Sequence, residues 1–114
     1  MEIQIVEKPI SRDILTTIAE AQFFDFVKAV VDTQKEIMAI GGELHADTEA
    51  VLISAGSRQQ DLWGINLYIA KPHPEWIAFD SMINIRPSQN NRSRDVEDPQ
   101  IREAITRVVK KLII

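Results

Sequence analysis

The chain has 114 residues, 45% of them hydrophobic and 26% charged, with a formal net charge of −4. That length suits one domain, residues 1–114, with a core of its own, and the acidic balance argues against a broad footprint on nucleic acid or anionic lipid. The absence of cysteine excludes disulfides, thiolate metal centres and cysteine nucleophiles.

The first stretch, MEIQIVEKPISRD, alternates polar and apolar residues and lacks the apolar core of a signal peptide. No apolar run approaches the length of a membrane span, so a cytoplasmic protein with no membrane partner is expected. Glu2 to Glu7 reads as a strand closed by Pro9. Ser11 is a good N-cap, and Ile14, Leu15 and Ile18 share a face, which predicts a helix over Arg12–Gln22. A break is expected at Phe23–Phe26. Val27–Asp32 (VKAVVD) and Ile37–Gly41 (IMAIG) read as strands joined by a short polar turn, Thr33–Glu36.

Asp47 is the expected cap of a helix over Thr48–Ala55, with Gly56 in the left-handed position after it. A strand through Glu49–Ser54 is the competing reading. Leu62–Ile69 is a strand with Trp63, Ile65, Leu67 and Ile69 on one face. Beyond the stiff turn Lys71–Glu75, Trp76–Arg86 is expected to pair back on it as a second hairpin. That pairing sets Ile77, Phe79, Ile83 and Ile85 on one face and Asp80, Met82, Asn84 and Arg86 on the other. It also makes Trp63 and Trp76 cross-strand neighbours. The last helix starts at Asp98-Pro99 and carries an apolar stripe from Ile101 to Leu112. Its end, Lys110-Lys111, complements the helix dipole.

The order is thus β-α-β-β-α-β-β-α. It describes an α+β fold of two layers: a mainly antiparallel sheet, made of two hairpins and an N-terminal strand, with the helices packed on it.

Chemistry is sought first in Phe79–Pro99, where a strand end, an arginine-bearing loop and a helix start follow closely. Asp80, Asn84 and Arg86 form one candidate ligand-facing set, with Asn66 and Tyr68 on the same face. Ser88, Arg92 and Arg94 extend it as forked donors and a hydroxyl for a phosphate or carboxylate. The competing reading is a solvated sheet face and a salt-bridged loop, because Asp95, Glu97 and Asp98 stand beside those arginines. Glu43, His45 and Asp47 would share one side of an extended segment as a hard-metal or zinc set, but a charged helix start explains the same letters. No metal or cofactor is expected. His73, between two prolines, reads as a surface turn residue, and no nucleophile elbow or phosphate-binding glycine fingerprint occurs.

The strings KAVVDTQKEIMAIGGELHADTEAVLISAGS, LWGINLYI and FDSMINIRPSQNNRSR together resemble a family of small uncharacterised prokaryotic proteins, a domain of unknown function. The resemblance spans nearly the whole chain and implies a complete protein rather than a fragment. It brings no activity, cofactor or site residues. The leading expectation is a non-enzymatic binding or assembly domain with a candidate anion-binding loop. It is expected to form a homodimer through the sheet face its helices leave free, burying Trp residues or Met82. The alternative is a hydrolase or nuclease-like enzyme acting on a phosphorylated substrate. There Arg86, Arg92 and Arg94 would hold the anion, Asp80 would act as acid or base, and a metal could assist.

Overall fold

In the computed structural model, which describes residues 2–73 and 75–114, the elements are β1 (Gln4–Val6), α1 (Arg12–Ala21), β2 (Phe26–Asp32), β3 (Ile37–Ile40), α2 (His45–Ser54), β4 (Leu62–Tyr68), β5 (Ile77–Ala78) and α3 (Pro99–Leu112). The order is the expected β-α-β-β-α-β-β-α of an α+β fold. The strands form one antiparallel sheet, β1-β3-β2-β4-β5. Pro74, part of the expected Lys71–Glu75 turn, lies outside the described residues.

Local chemistry accounts for most element ends. The Ser11 hydroxyl accepts from the Asp13 amide at 3.1 Å and opens α1. The helix stops where the Phe24 amide bonds back to Ala19 O at 2.6 Å and Phe24 takes φ +71°. The β2–β3 turn is fixed by Asp32, whose Oδ1 accepts from the Gln34 and Lys35 amides at 2.9 and 2.8 Å, while Ser57 Oγ donates to Oδ2 at 2.6 Å. Asp98 caps α3 through the Gln100 amide at 2.8 Å, with Pro99 at the first helical position.

α2 is a helix, not the competing strand, and Gly56 follows it at φ +110°. Its start differs from the expectation. The helix begins at His45, so Asp47 lies within the first turn and caps nothing. Leu44 stands at the cap with no side-chain bond, and the first amides of α2 therefore lack a capping acceptor from it.

Strand alternation gives the sheet two different faces. On the first, Val27, Ala29 and Val31 of β2, Met38 and Ile40 of β3, and Trp63, Ile65 and Leu67 of β4 pack against α1 and α3. The α3 stripe delivers Ile105, Val108, Val109 and Leu112, all buried. On the second, Val30, Ala39 and Leu62 meet Leu52 of α2, with Ile83 packed against them. The face on which a second copy was expected to dock is thus partly covered by the chain itself. Both tryptophans are core residues, and Met82 is the exposed one of the group. Among the described residues, no helix is long and apolar enough to cross a membrane.

The second hairpin is much shorter than its sequence suggests. β5 pairs with β4 only at Asn66↔Ala78 and Leu67↔Ile77. Continuing that register would set Asp80 opposite Gly64, but the chain lifts off after Ala78. It makes a 3-10 turn over Met82–Asn84 and a second over Pro87–Gln89. Trp76 therefore neighbours Tyr68, whose amide donates to Trp76 O at 2.7 Å, while Trp63 sits opposite Val31. The expected split of residues 77–86 into two strand faces does not form.

Two residues explain why the chain can leave the edge. A Cβ at Gly64 would fall 2.6 Å from Ser81 Cβ and Oγ, so the bare backbone lets the departing segment pack directly on β4. Asn84 then replaces the missing strand partner with its side chain. Its Oδ1 accepts from the Gly64 amide at 2.8 Å, and its Nδ2 donates to Gly64 O at 2.9 Å. A carboxamide carries one acceptor and one donor group in the same relation as a peptide unit, so it mimics one β-bridge.

Candidate functional site

The loop beyond β5 is held together by its own polar side chains. Asn84, fully buried, also donates to Arg94 O at 3.0 Å. Asn91, 3% exposed, donates to the carbonyls of Asn84 and Asp95 at 2.7 Å each and accepts from the Glu97 amide at 2.8 Å. Glu97 Oε2 accepts from the amides of Arg92 and Ser93 and from Ser93 Oγ at 2.9, 2.8 and 2.7 Å. The Ser93 hydroxyl and amide hold the Glu97 carboxyl below the usual carboxylate range. An irregular segment cannot pair its backbone with a neighbouring strand, and these side chains meet that need instead.

Arg86 is used in the same way. Its guanidinium lies 4.5 Å from the Trp63 ring centroid. It donates to Ile83 O, Gln59 O and Gln89 Oε1 at 3.0, 2.9 and 3.1 Å, and to Leu62 O. Burial lowers its pKa, an effect opposed by Glu49. The donors expected to meet a ligand are already occupied.

A different arrangement appears where this loop faces α2. A cleft of about 220 Å³ lies between the start of α2, through Leu44, His45 and Ala46, and the segment Asp80–Ile83, with Lys28 and Arg94 completing its wall. Lys28 is the charged residue of an otherwise apolar central stretch of β2. It pairs across the sheet with Asn66, so both project from the second face. Leu44 and Met82, 57% and 66% exposed, give the cleft apolar lips. Arg94 and Asp80 meet there at 2.7 Å, and both are more than half exposed.

His45 forms part of the wall. Its Nε2 lies 2.8 Å from Ile65 O, and because a carbonyl only accepts, Nε2 carries the proton. Burial pushes the ring's pKa down, with the charges of Lys28 and Arg94 adding to it; the Ile65 bond and Asp80 act in the other direction. The ring is therefore neutral at neutral pH, and Nδ1 keeps a lone pair that makes no hydrogen bond to the described residues. Below it, Asn66 Nδ2 donates to Asp80 O at 3.3 Å, while the buried Oδ1 of the same amide has no donor among them.

The candidates read from the sequence therefore separate. Asp80 and Arg94 come together in the cleft. Asn84 and Arg86 are built into the loop. Ser88 and Arg92 are exposed outside the cleft wall. Lys28 was missed, although a lone lysine in VKAVVD was a readable signal: a charge in a central strand needs either a partner or an opening. The sequence groups His45 only with Glu43 and Asp47, as a metal-ligand set. The helix start at His45 removes the extended geometry that grouping required. No cluster of three His, Cys, Asp or Glu able to hold a metal occurs among the described residues.

A larger, open groove of about 540 Å³ runs along α3, lined by Phe79, Pro99, Arg102, Glu103, Thr106, Arg107 and Lys110. Its size does not make it the better site. Arg102 is committed to Asp95 Oδ1 at 2.5 Å and to Val96 O at 2.6 Å, and it stacks on Phe79. Glu103 further offsets the remaining cations.

The chain belongs to a family described as a protein of unknown function (DUF5674), whose model matches residues 4–112. No curated protein and no solved structure matches it.

Proposed function

We propose that this chain is a binding domain, and that its ligand is a small anion seated in the cleft between the start of α2 and Asp80–Ile83. One observation carries the reading: Lys28 and Arg94 converge with the uncapped first turn of α2 on a single cleft. Helix-terminal amides and two cations all favour negative charge. The carboxylate in the wall, Asp80, is already paired with Arg94, which leaves Lys28 to set the net sign. The support lies here rather than in the Ser88–Arg94 loop, whose Asn91 and Ser93 are bonded to each other and to Glu97 just beyond it.

Isothermal calorimetry with inorganic phosphate and with acetate tests the proposal. The wild-type protein is expected to bind at least one of them, and Lys28→Met to weaken it by about tenfold, the loss of one charge-assisted contact. Binding that is unchanged in Lys28→Met would move the site elsewhere. Turnover of a phosphate ester, lost in the same variant, would turn the binding reading into a hydrolytic one.

A further inference from the structure

The cleft offers an anion more than positive charge. We infer that the anion it takes carries a hydroxyl beside its charged group, as a 2-hydroxycarboxylate does. This rests on the anion reading above and adds the ligand's second functional group.

The argument begins with His45. It lines the cleft, and its Nε2–H is tied to Ile65 O at 2.8 Å. That bond fixes both the ring's orientation and its tautomer, so the second nitrogen is presented as an acceptor. An acceptor fixed beside two cations has a specific use. A simple anion, having no hydrogen to donate, gains nothing from Nδ1 and meets its lone pair with its own. A ligand with a donor close to its charge satisfies both.

The choice of hydroxyl over ammonium follows from charge. The titratable groups facing His45 are Lys28 from β2, with Asp80 and Arg94 from the loop after β5. Asp80 is engaged by Arg94 at 2.7 Å, so an incoming ammonium meets Lys28 without a free carboxylate to offset it. A neutral O–H has no such cost. Asn66, the cross-strand neighbour of Lys28, has a buried Oδ1 without a donor among the described residues, but it does not line the cleft. The volume of about 220 Å³ suits a molecule of a few heavy atoms, with any aliphatic part against Leu44, Met82 and Ile83.

Three probes of one shape separate the possibilities: propionate, lactate and alanine place H, OH and NH₃⁺ at the same carbon. Calorimetry should show lactate about fivefold tighter than propionate, the value of one added neutral hydrogen bond, and alanine no tighter than propionate. His45→Phe removes the Nδ1 acceptor and puts no other in its place, so the ratio of lactate to propionate affinity should fall to about one, whatever the change in the two affinities together. Should that variant fail to fold, the wild-type protein supplies the same readout. Burial sets the protonation of Nδ1 below the ordinary value, so the pH is lowered until the imidazole NMR shift reports the proton; propionate binding should then strengthen while the lactate preference falls.

Equal binding of propionate and lactate overturns the hydroxyl inference and leaves the anion cleft standing. So does alanine binding tighter than lactate, or a lactate preference that survives both His45→Phe and protonation of the His45 ring. If no probe binds and Lys28→Met behaves like the wild type toward phosphate and acetate, both readings fail together.

Discussion

The loop from Ser81 to Glu97 and the cleft beside it are built from the same kinds of side chain, yet they stand in opposite states. In the loop, Asn84, Arg86, Asn91 and Glu97 have partners for nearly every polar atom, and most of those partners are backbone groups. In the cleft, Lys28 lines the wall with its Nζ 5.0 Å from the Phe23 ring centroid, His45 presents one nitrogen without a partner among the described residues, and the Asp80–Arg94 pair is exposed. Polar residues on an irregular segment are first candidates for satisfying that segment, and only unsatisfied ones are candidates for a ligand. The contrast predicts that substitutions in the loop change stability, whereas substitutions in the cleft change binding.

The largest effect should come from Asn84→Ala. It removes three hydrogen bonds and leaves the Gly64 amide and carbonyl unsatisfied in a buried place, while Arg94 O keeps the Ser81 amide. A loss of about 3 kcal/mol is expected, read as a lower urea midpoint with an unchanged slope. An Asn84→Ala protein as stable as the wild type would break the comparison, because the loop would then not depend on the bridge that Asn84 supplies.

A smaller effect separates two buried ionisable groups on α2. The folded pKa of His45 is depressed, chiefly by burial, so the fold favours the neutral ring. The stability this contributes is full above the unfolded value of about 6.5 and is lost as pH falls through it. Glu49 has the opposite sign. Burial raises its carboxyl, with Arg86 and then Gln59 pulling it down, so its contribution is full below about pH 4.5 and lost as pH rises through the folded value. Between these limits the two trends oppose each other in the wild type. His45→Gln removes one of them, so the variant should lose less stability on acidification than the wild type does. An identical pH profile for the two proteins would mean that His45 is not held neutral by the fold.

The fold was largely legible in the sequence because its cues are local. Ser11, Asp98-Pro99, the Ile101–Leu112 stripe and the VKAVVD–IMAIG pair each determine their own element. Two readings failed, for two reasons. The extended reading of Trp76–Arg86 rested on alternation, which persists by chance through FDSMINIR although a 3-10 turn interrupts the strand. Nothing in a strand pattern reveals that Asn84, six residues past the last paired residue, can replace a strand partner through its side chain. The start of α2 failed because Asp47 looks like a cap, whereas the helix begins at His45, whose ring is held by Ile65 O, a contact 20 residues away in the chain. The cleft itself joins β2, α2 and the loop after β5. Such a site is set by topology, and sequence could mark only single members, Asp80 and Arg94 among them.

The smallest expected effects are the most discriminating for the original loop hypothesis. Ser88 and Arg92 were both read as ligand donors, and both are exposed away from the cleft wall. The Arg92 contact that matters to the loop is its amide, bonded to Glu97 Oε2 at 2.9 Å, and a side-chain substitution leaves that amide in place. Ser88→Ala and Arg92→Ala should therefore each change stability by less than about 0.5 kcal/mol, the usual range for exposed positions. Each should also leave phosphate and acetate affinity within about twofold, because neither side chain lines the cleft and the exposed Arg92 charge is screened by solvent. Arg94→Gln supplies the contrast. It removes a cation from the cleft and releases Asp80, so it should weaken anion binding, while its exposed ion pair limits the stability change to below about 1 kcal/mol. If Arg92→Ala weakened anion binding as much as Arg94→Gln did, the ligand would be held by the loop, and the division between the two regions would fail.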